Sequence, residues 1–199
     1  MLVTELIQAA LKDAKKATAE PSDALSTQQL HVARAKAWIN ALAYQLRSVY
    51  RAAELRVFSK YDETNRKDFG LNELLFDVSV CEVAQTTSAL GRKELWYVKR
   101  ALWQAESEFE KNSRAALLDF SKLVLGNAPN KLFVAPVTDD PVAFRKALLP
   151  VAECCRGCRV LLASVPHPSD FGKNSPATVH IFEDGTWRLS HNDVVNTDA

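Results

Sequence analysis

Two glutamates one residue apart, Glu106 and Glu108, close the apolar run "ALWQAESEF". An aspartate, Asp77, sits inside another apolar run, "NELLFDVSV", flanked by Phe76 and Val78. A carboxylate in such a place either faces solvent or sits near a cation. Burying it unpaired costs several kcal/mol or forces protonation. Residues two apart on a strand project to one face. Glu106 and Glu108 therefore point together with Gln104, and Glu73, Leu75, Asp77 and Ser79 share a face of the earlier run. If the two strands pair with these faces aligned, Asp77, Glu106 and Glu108 converge, and a divalent cation relieves their repulsion. Oxygen-only ligands suit Mg²⁺ or Mn²⁺, with waters completing the shell. A metal held this way polarises a phosphoryl oxygen and activates a water.

Lys122 lies on the amphipathic stretch that follows. A helix from about residue 113 returns along the sheet, and nine residues at ~1.5 Å each cover roughly the length of strand residues 108 to 104. Lys122 then stands level with Gln104 to Glu106, where an ammonium can steer the attacking water or bind the scissile phosphate. Taken singly, each feature has a plainer reading. Glu-x-Glu also closes solvated strands, and Lys122 also suits a solvated helix face.

The elements that must position these residues follow from periodicity. Residues 2 to 18 carry a helical apolar stripe, Leu2, Leu6, Ile7, Ala10, Leu11 and Ala14. "TAEPSDALST" breaks it. A long helix is expected from about Thr27 to Ser59, with Trp38, Leu42, Leu46, Val49 and Ala53 on one face. "KYDETNRKDFG" reads as a loop and "LNELLFDVSVCEVAQ" as a strand. "TTSALGRK" is a turn, and "ELWYVKRALWQAESEF" is one long bent strand or two shorter ones. A helix over 112–125 is capped by Asn112 or Ser113 and ended by Gly126, with Leu117, Phe120, Leu123 and Val124 as its buried stripe. "NKLFVAP" is a short buried strand. A helix opens near Asp140 with Pro141 in its first turn, and Pro150 is expected to bend or interrupt it. "CRVLLASV" is a strand, and "ATVHIFEDGTWRLS" is a hairpin about Asp184-Gly185. The tail "HNDVVNTDA" is expected to fray. This order implies an α/β fold: a mixed central sheet with helices on both faces, built from parallel strand-helix-strand units after an antiparallel start. Residues 1–66 form an N-terminal helical segment packing on a core of residues 67–199.

Composition narrows the function classes. With 199 residues, 47% hydrophobic and 25% charged, the chain can bury a real core. A formal charge of +1 does not indicate a strongly basic nucleic-acid binder, although a local basic face is compatible with it. The start "MLVTELIQAALKDAKK" has an acidic Glu5 and no basic leader, and no run is long enough to span a bilayer. Three of the four cysteines, Cys154, Cys155 and Cys158, crowd together, unlike a secreted disulfide framework. The expected compartment is cytoplasmic, with no membrane partner.

The order of an aspartate in a core strand, Glu-x-Glu ending the next, then an amphipathic helix and a strand resembles the PD-(D/E)XK nuclease superfamily of restriction endonucleases and related repair and defence nucleases. The likeness covers about residues 50 to 136 and is carried by "NELLFDVSV", "LWQAESEF" and "LLDFSKLVLGNAPNKLFVAP". It implies a restriction endonuclease-like core and Mg²⁺-dependent hydrolysis of DNA. It also implies Asp77 and Glu106 as metal ligands. Glu108 takes the place of the usual strand lysine, and Lys122 supplies a lysine from the following helix. Glu73, ahead of Glu54, is the candidate for an additional acidic ligand. Two departures stand out: Phe76, not a proline, precedes Asp77, and the strand lysine is absent. An inactive nuclease-fold binding or regulatory module is therefore the alternative. A third reading makes the N-terminal helices a surface for a second copy or a protein partner.

Other features carry less chemistry. Cys155 and Cys158 have C-x-x-C spacing beside His167, but zinc needs a second matched pair, and buried small residues at a helix-to-strand junction explain the cluster better. His167 stands in a proline-rich surface loop with enough shape to line a site, although a lone loop histidine is more often uncommitted. Trp38, Trp96, Trp103 and Trp187 sit in apolar patterns and read as core.

Overall fold

The structure, a computed structural model, describes residues 1–18, 26–173 and 175–195. Most of the break at "TAEPSDALST" lies outside these residues. Helix α1 (Val3–Ala17) and helix α2 (Thr27–Val49) come first. Strand β1 (Leu55–Ser59) follows, then a short helix α3 (Arg66–Phe69), strand β2 (Val78–Thr87) and strand β3 (Glu94–Ser107). Helix α4 (Ser113–Val124), strand β4 (Asn130–Pro136), helix α5 (Pro141–Cys154) and strand β5 (Arg159–Val165) alternate next. A 3₁₀ turn (Pro168–Asp170) leads to the closing strands β6 (Thr178–Glu183) and β7 (Thr186–Leu189).

Among the described residues, seven strands form one mixed sheet in sequence order. β1, β2 and β3 pair antiparallel, β3, β4 and β5 parallel, and β5, β6 and β7 antiparallel again. The parallel pairs are joined through α4 and α5, as strand-helix-strand units require. One apolar cluster joins α1 and α2 to Val78, Val80, Trp103, Ala105, Leu132 and Val134 on one face. A second joins α4 and α5 to Phe133, Ala135, Val160 and Leu162 on the other. Alternate residues of the central strands thus feed opposite layers.

Four expectations are corrected. α2 stops at Val49 instead of reaching Ser59, and Leu55–Ser59 becomes the edge strand β1, whose residues pair from Leu55↔Glu82 to Ser59↔Val78. Local helix propensity in "RAAEL" yields there to sheet pairing and to burial of Leu55, Val57 and Phe58. The sheet accordingly includes residues on the N-terminal side of position 66. The expected loop over 60–70 holds the short helix α3, ended by Gly70 at a φ of 73°. Pro150 does not interrupt α5, which runs through it to Cys154. The described part of the tail is pinned: Val195 N–H donates to Met1 O at 3.0 Å, and Val3 N–H donates to Asp193 O at 2.8 Å.

Other details follow the sequence in part. β3 is one long strand, with register shifts against β2 at Val80/Cys81 and Glu82/Val83. The β6–β7 turn is a two-residue loop with Asp184 and Gly185 both at positive φ, which is why Asp-Gly is needed there. Asn112 caps α4, its Oδ1 accepting from Ala115 N–H at 2.8 Å. Val124 of the expected stripe is exposed, and Ala116 takes a buried place instead. Trp38 and Trp103 are buried, whereas Trp96 and Trp187 are partly exposed.

Candidate active site

The β2–β3 register pairs Val78 with Ala105 and Ser79 with Gln104. One further step sets Asp77 opposite Glu106. Side chains lock this step. Ser107 N–H donates to Asp77 Oδ2 at 3.0 Å, and Asp77 N–H donates to Glu106 Oε1 at 3.3 Å. Both residues lie at the edge where the parallel strands β3, β4 and β5 present their carboxyl ends, a common place for sites in α/β sheets. Strand alternation turns Gln104 and Glu106 toward α4. It turns Trp103, Ala105 and Ser107 toward α2, where Trp38 Nε1–H donates to Ser107 Oγ at 3.1 Å.

Lys122 meets the strand from α4 at the expected height. Its Nζ lies 3.2 Å from Glu106 Oε2 and 2.6 Å from Asp119 Oδ1. Glu106 is only 3% exposed. Burial, then the Asp77 carboxylate, raise its pKa to about 7, and the Lys122 ammonium offsets only part of that rise. Asp77 is also shifted upward, chiefly by burial, against the Ser107 hydrogen bond and the charges of Lys60 and Lys122. Lys122 is held above its ordinary value by Asp119 and Glu106, although burial opposes this.

Glu108 departs from the expected convergence. It stands past the end of β3, with its main-chain N–H on Val134 O at 2.9 Å. Its side chain reaches Asp119 instead of Asp77. Burial and the hydrogen bond to Asp119 raise Glu108 to about 7, while the same bond holds Asp119 below the usual carboxylate value. The two carboxyl groups interact strongly, so they titrate as a pair. A connected row results: Asp77, Glu106, Lys122, Asp119 and Glu108. Asp119 was missed in the sequence. The signal was its position three residues before Lys122, which puts both on one helix face.

Glu73 does not share a strand face with Asp77. Leu75 takes a φ of 54°, Phe76 N–H turns back onto Leu74 O, and β2 begins only at Val78. Alternation fails across this turn, and Glu73 is exposed outside the strand. Glu54 is exposed too, its carbonyl accepting from Val83 N–H at 2.8 Å. Among the described residues, no three or more His, Cys, Asp or Glu side chains gather into a metal-holding group. The structure therefore pairs Asp77 with Glu106 and leaves Glu73 and Glu108 outside that pair.

The C-terminal end of α4 is fixed by buried polar contacts. Lys131 is 1% exposed, and its ammonium donates to the carbonyls of Leu123 and Gly126 at the C-terminal end of the helix. Gly126 packs against the Gln104 side chain so closely that a Cβ would lie 2.0 Å from Gln104 Oε1. Gln104 Oε1 also accepts from Ala128 N–H at 3.3 Å. These contacts set the height at which Lys122 meets Glu106.

The cysteine cluster lies away from this row. Cys155 is buried at the end of α5, Cys158 is half-buried, and Cys154 is exposed. His167 opens the 3₁₀ turn after β5, accepting from Ser169 N–H. Among the described residues, no helix is long and apolar enough to cross a membrane.

The molecule is thus an α/β protein with a seven-stranded mixed sheet and a paired-carboxylate and lysine site at its carboxyl edge. No family model matches the chain, and no curated protein matches it either.

Proposed function

We propose that this protein is a Mg²⁺-dependent nuclease with a restriction endonuclease-like core, hydrolysing phosphodiester bonds of DNA. The observation that carries the reading is the Asp77–Glu106 pair, held across β2 and β3, with Lys122 brought onto Glu106 from the next helix. Mg²⁺ is usually bound by one or two carboxylates, with water and substrate phosphate filling the rest of its shell. Two adjacent carboxylates, one raised by burial and then by the other, suit that requirement. Asp77 and Glu106 would hold the ion, which when bound supplies Lewis-acid polarisation of a phosphoryl oxygen and a lowered pKa for water.

The chain's own residues do the rest. Lys122 is half exposed and reaches the site from the solvent side, so its ammonium can meet the scissile phosphate or orient the attacking water. Glu108, raised to about 7 by burial and by its hydrogen bond with Asp119, is suited to exchange a proton at the same edge. Asp119 aims Lys122.

The alternative is a nuclease-fold module that binds without cutting. One observation favours it: Lys122 is already tied to both Glu106 and Asp119, so it can stand in for a cation at the site. Incubation of plasmid and single-stranded DNA with Mg²⁺ or Mn²⁺ separates the two. We expect metal-dependent cleavage that Asp77→Ala and Glu106→Ala each reduce by at least about a hundredfold, the scale of a lost catalytic electrostatic contact. Equal cleavage by both variants and the wild type would remove the assignment. No cleavage by the wild type, with DNA still bound, would favour the silent module.

A further inference from the structure

The same sheet edge carries a second group of side chains, drawn from three separate elements. His167 follows β5, and its ring meets His31 of α2 edge to face, with centroids 5.3 Å apart. Ser169 N–H donates to His167 Nδ1 at 3.1 Å. An accepting Nδ1 leaves the ring proton on Nε2, across the ring from that turn. Lys111, in the loop between β3 and α4, acts electrostatically on both His167 and Asp170. Arg34, one helical turn beyond His31, holds the 3₁₀ turn against α2 by donating to Pro168 O at 2.7 Å. Asp170, the carboxylate facing the group, is paired with Lys173 at 2.7 Å. Burial, Lys111 and His31 together keep His167 below the ordinary histidine value, while Asp170 pulls it the other way.

Two imidazoles in contact, within the field of the Lys111 charge and beside the already paired Asp170 carboxylate, form a place for an anion. Lys111 is three residues past Glu108, so the two Cα atoms are at most about 11 Å apart. A nucleic-acid strand carries a charge at every nucleotide, so an anion site this near the carboxylates suits a neighbouring phosphate. We propose that His31, Lys111 and His167 form a phosphate subsite, holding a backbone phosphate of the nucleic acid beside the one presented to Asp77 and Glu106. The nucleic-acid identity of the ligand rests on the nuclease reading; the anion site itself does not. Contacts of this kind position a strand without reading its sequence.

The test uses the chain's four histidines. Inorganic phosphate is titrated into the metal-free full-length protein while the imidazole signals are followed by NMR. His31 and His167 should shift with saturation, and His180 and His191 should not. Lys111→Ala should weaken that response about tenfold, as loss of one charge-assisted contact does. Lys111→Ala should also weaken binding of a labelled oligonucleotide in EDTA and lower its salt slope by about one. Equal response of all four histidines, or an unchanged titration in Lys111→Ala, would overturn the subsite. If the protein cleaves DNA while His31 and His167 stay unresponsive, the subsite fails and the nuclease reading stands. If they respond in a protein that cuts nothing, the anion site stands and the nuclease reading fails.

Discussion

Glu106 shows how a buried carboxyl group is made useful at a cost in stability. Its pKa rises from 4.5 to about 7, first through burial and then through Asp77. The folded state therefore binds this proton more tightly than the unfolded chain does. Its contribution is fully present below about pH 4.5 and is lost as pH rises toward 7, after which it is constant. Glu106→Gln removes this loss. We expect the variant to match the wild type near pH 4.5 and to exceed it by about 1–3 kcal/mol at pH 8. Denaturant unfolding at the two pH values measures this, and equal stability at pH 8 would contradict the burial cost. Metal affinity should change in the opposite sense. A bound divalent ion must displace the proton, so Mn²⁺ affinity by calorimetry should climb between pH 6 and 8 in the wild type. Asp77, Glu106 and Lys122 were legible in the sequence because strand period and helix rise fix where they fall. The partner of Glu108 was not, since a residue past the end of its strand no longer obeys alternation.

At the scale of elements, α4 has to be held at one height for Lys122 to meet Glu106. Its C-terminal end is tied by the buried Lys131 ammonium and by the close approach of Gly126 to Gln104. Lys131→Met leaves buried carbonyls without a donor and should cost about 1–3 kcal/mol. Gly126→Ala forces Gln104 off Ala128 N–H and should cost a similar ~1–3 kcal/mol, as overpacking does. Thermal melts check both, and a melting point unchanged in either variant would show that its contact does not anchor the helix. The helices and central strands could be read from apolar period and turn residues, Asp184-Gly185 most directly. β1 could not. "RAAELRVFS" satisfies a helical stripe and a strand alternation together, and only its pairing with β2 decides between them. The turn at Leu75 was equally hidden, because a leucine at positive φ carries no local signal.

Over the whole molecule, the N-terminal helices are part of the core. Val3, Leu6, Ile7, Ala10, Leu11 and Ala14 of α1 are buried in the same cluster as the sheet. The apolar stripe of α1 is therefore spent on the fold and is not open to a second copy or a protein partner. Burying each of its larger apolar side chains is worth about 1.5–3 kcal/mol, a total comparable with a domain's stability of roughly 5–15 kcal/mol. Deleting residues 1–18 should abolish cooperative unfolding as followed by circular dichroism. A truncated chain that still melts cooperatively would show that α1 is dispensable. The layer order, helices on both faces of a mixed sheet, followed from the sequence because parallel strands require crossovers. The packing of α1 on the core was also expected, whereas the strand at Leu55–Ser59 inside that N-terminal segment was not.

The most direct test of the proposed metal site is diffraction from crystals soaked in Mn²⁺, recorded for its anomalous signal. An anomalous peak between the Asp77 and Glu106 carboxylates, with the Lys122 ammonium displaced from Glu106 toward substrate space, is the predicted result. No peak there, with Lys122 still bonded to Glu106 at saturating Mn²⁺, would contradict it.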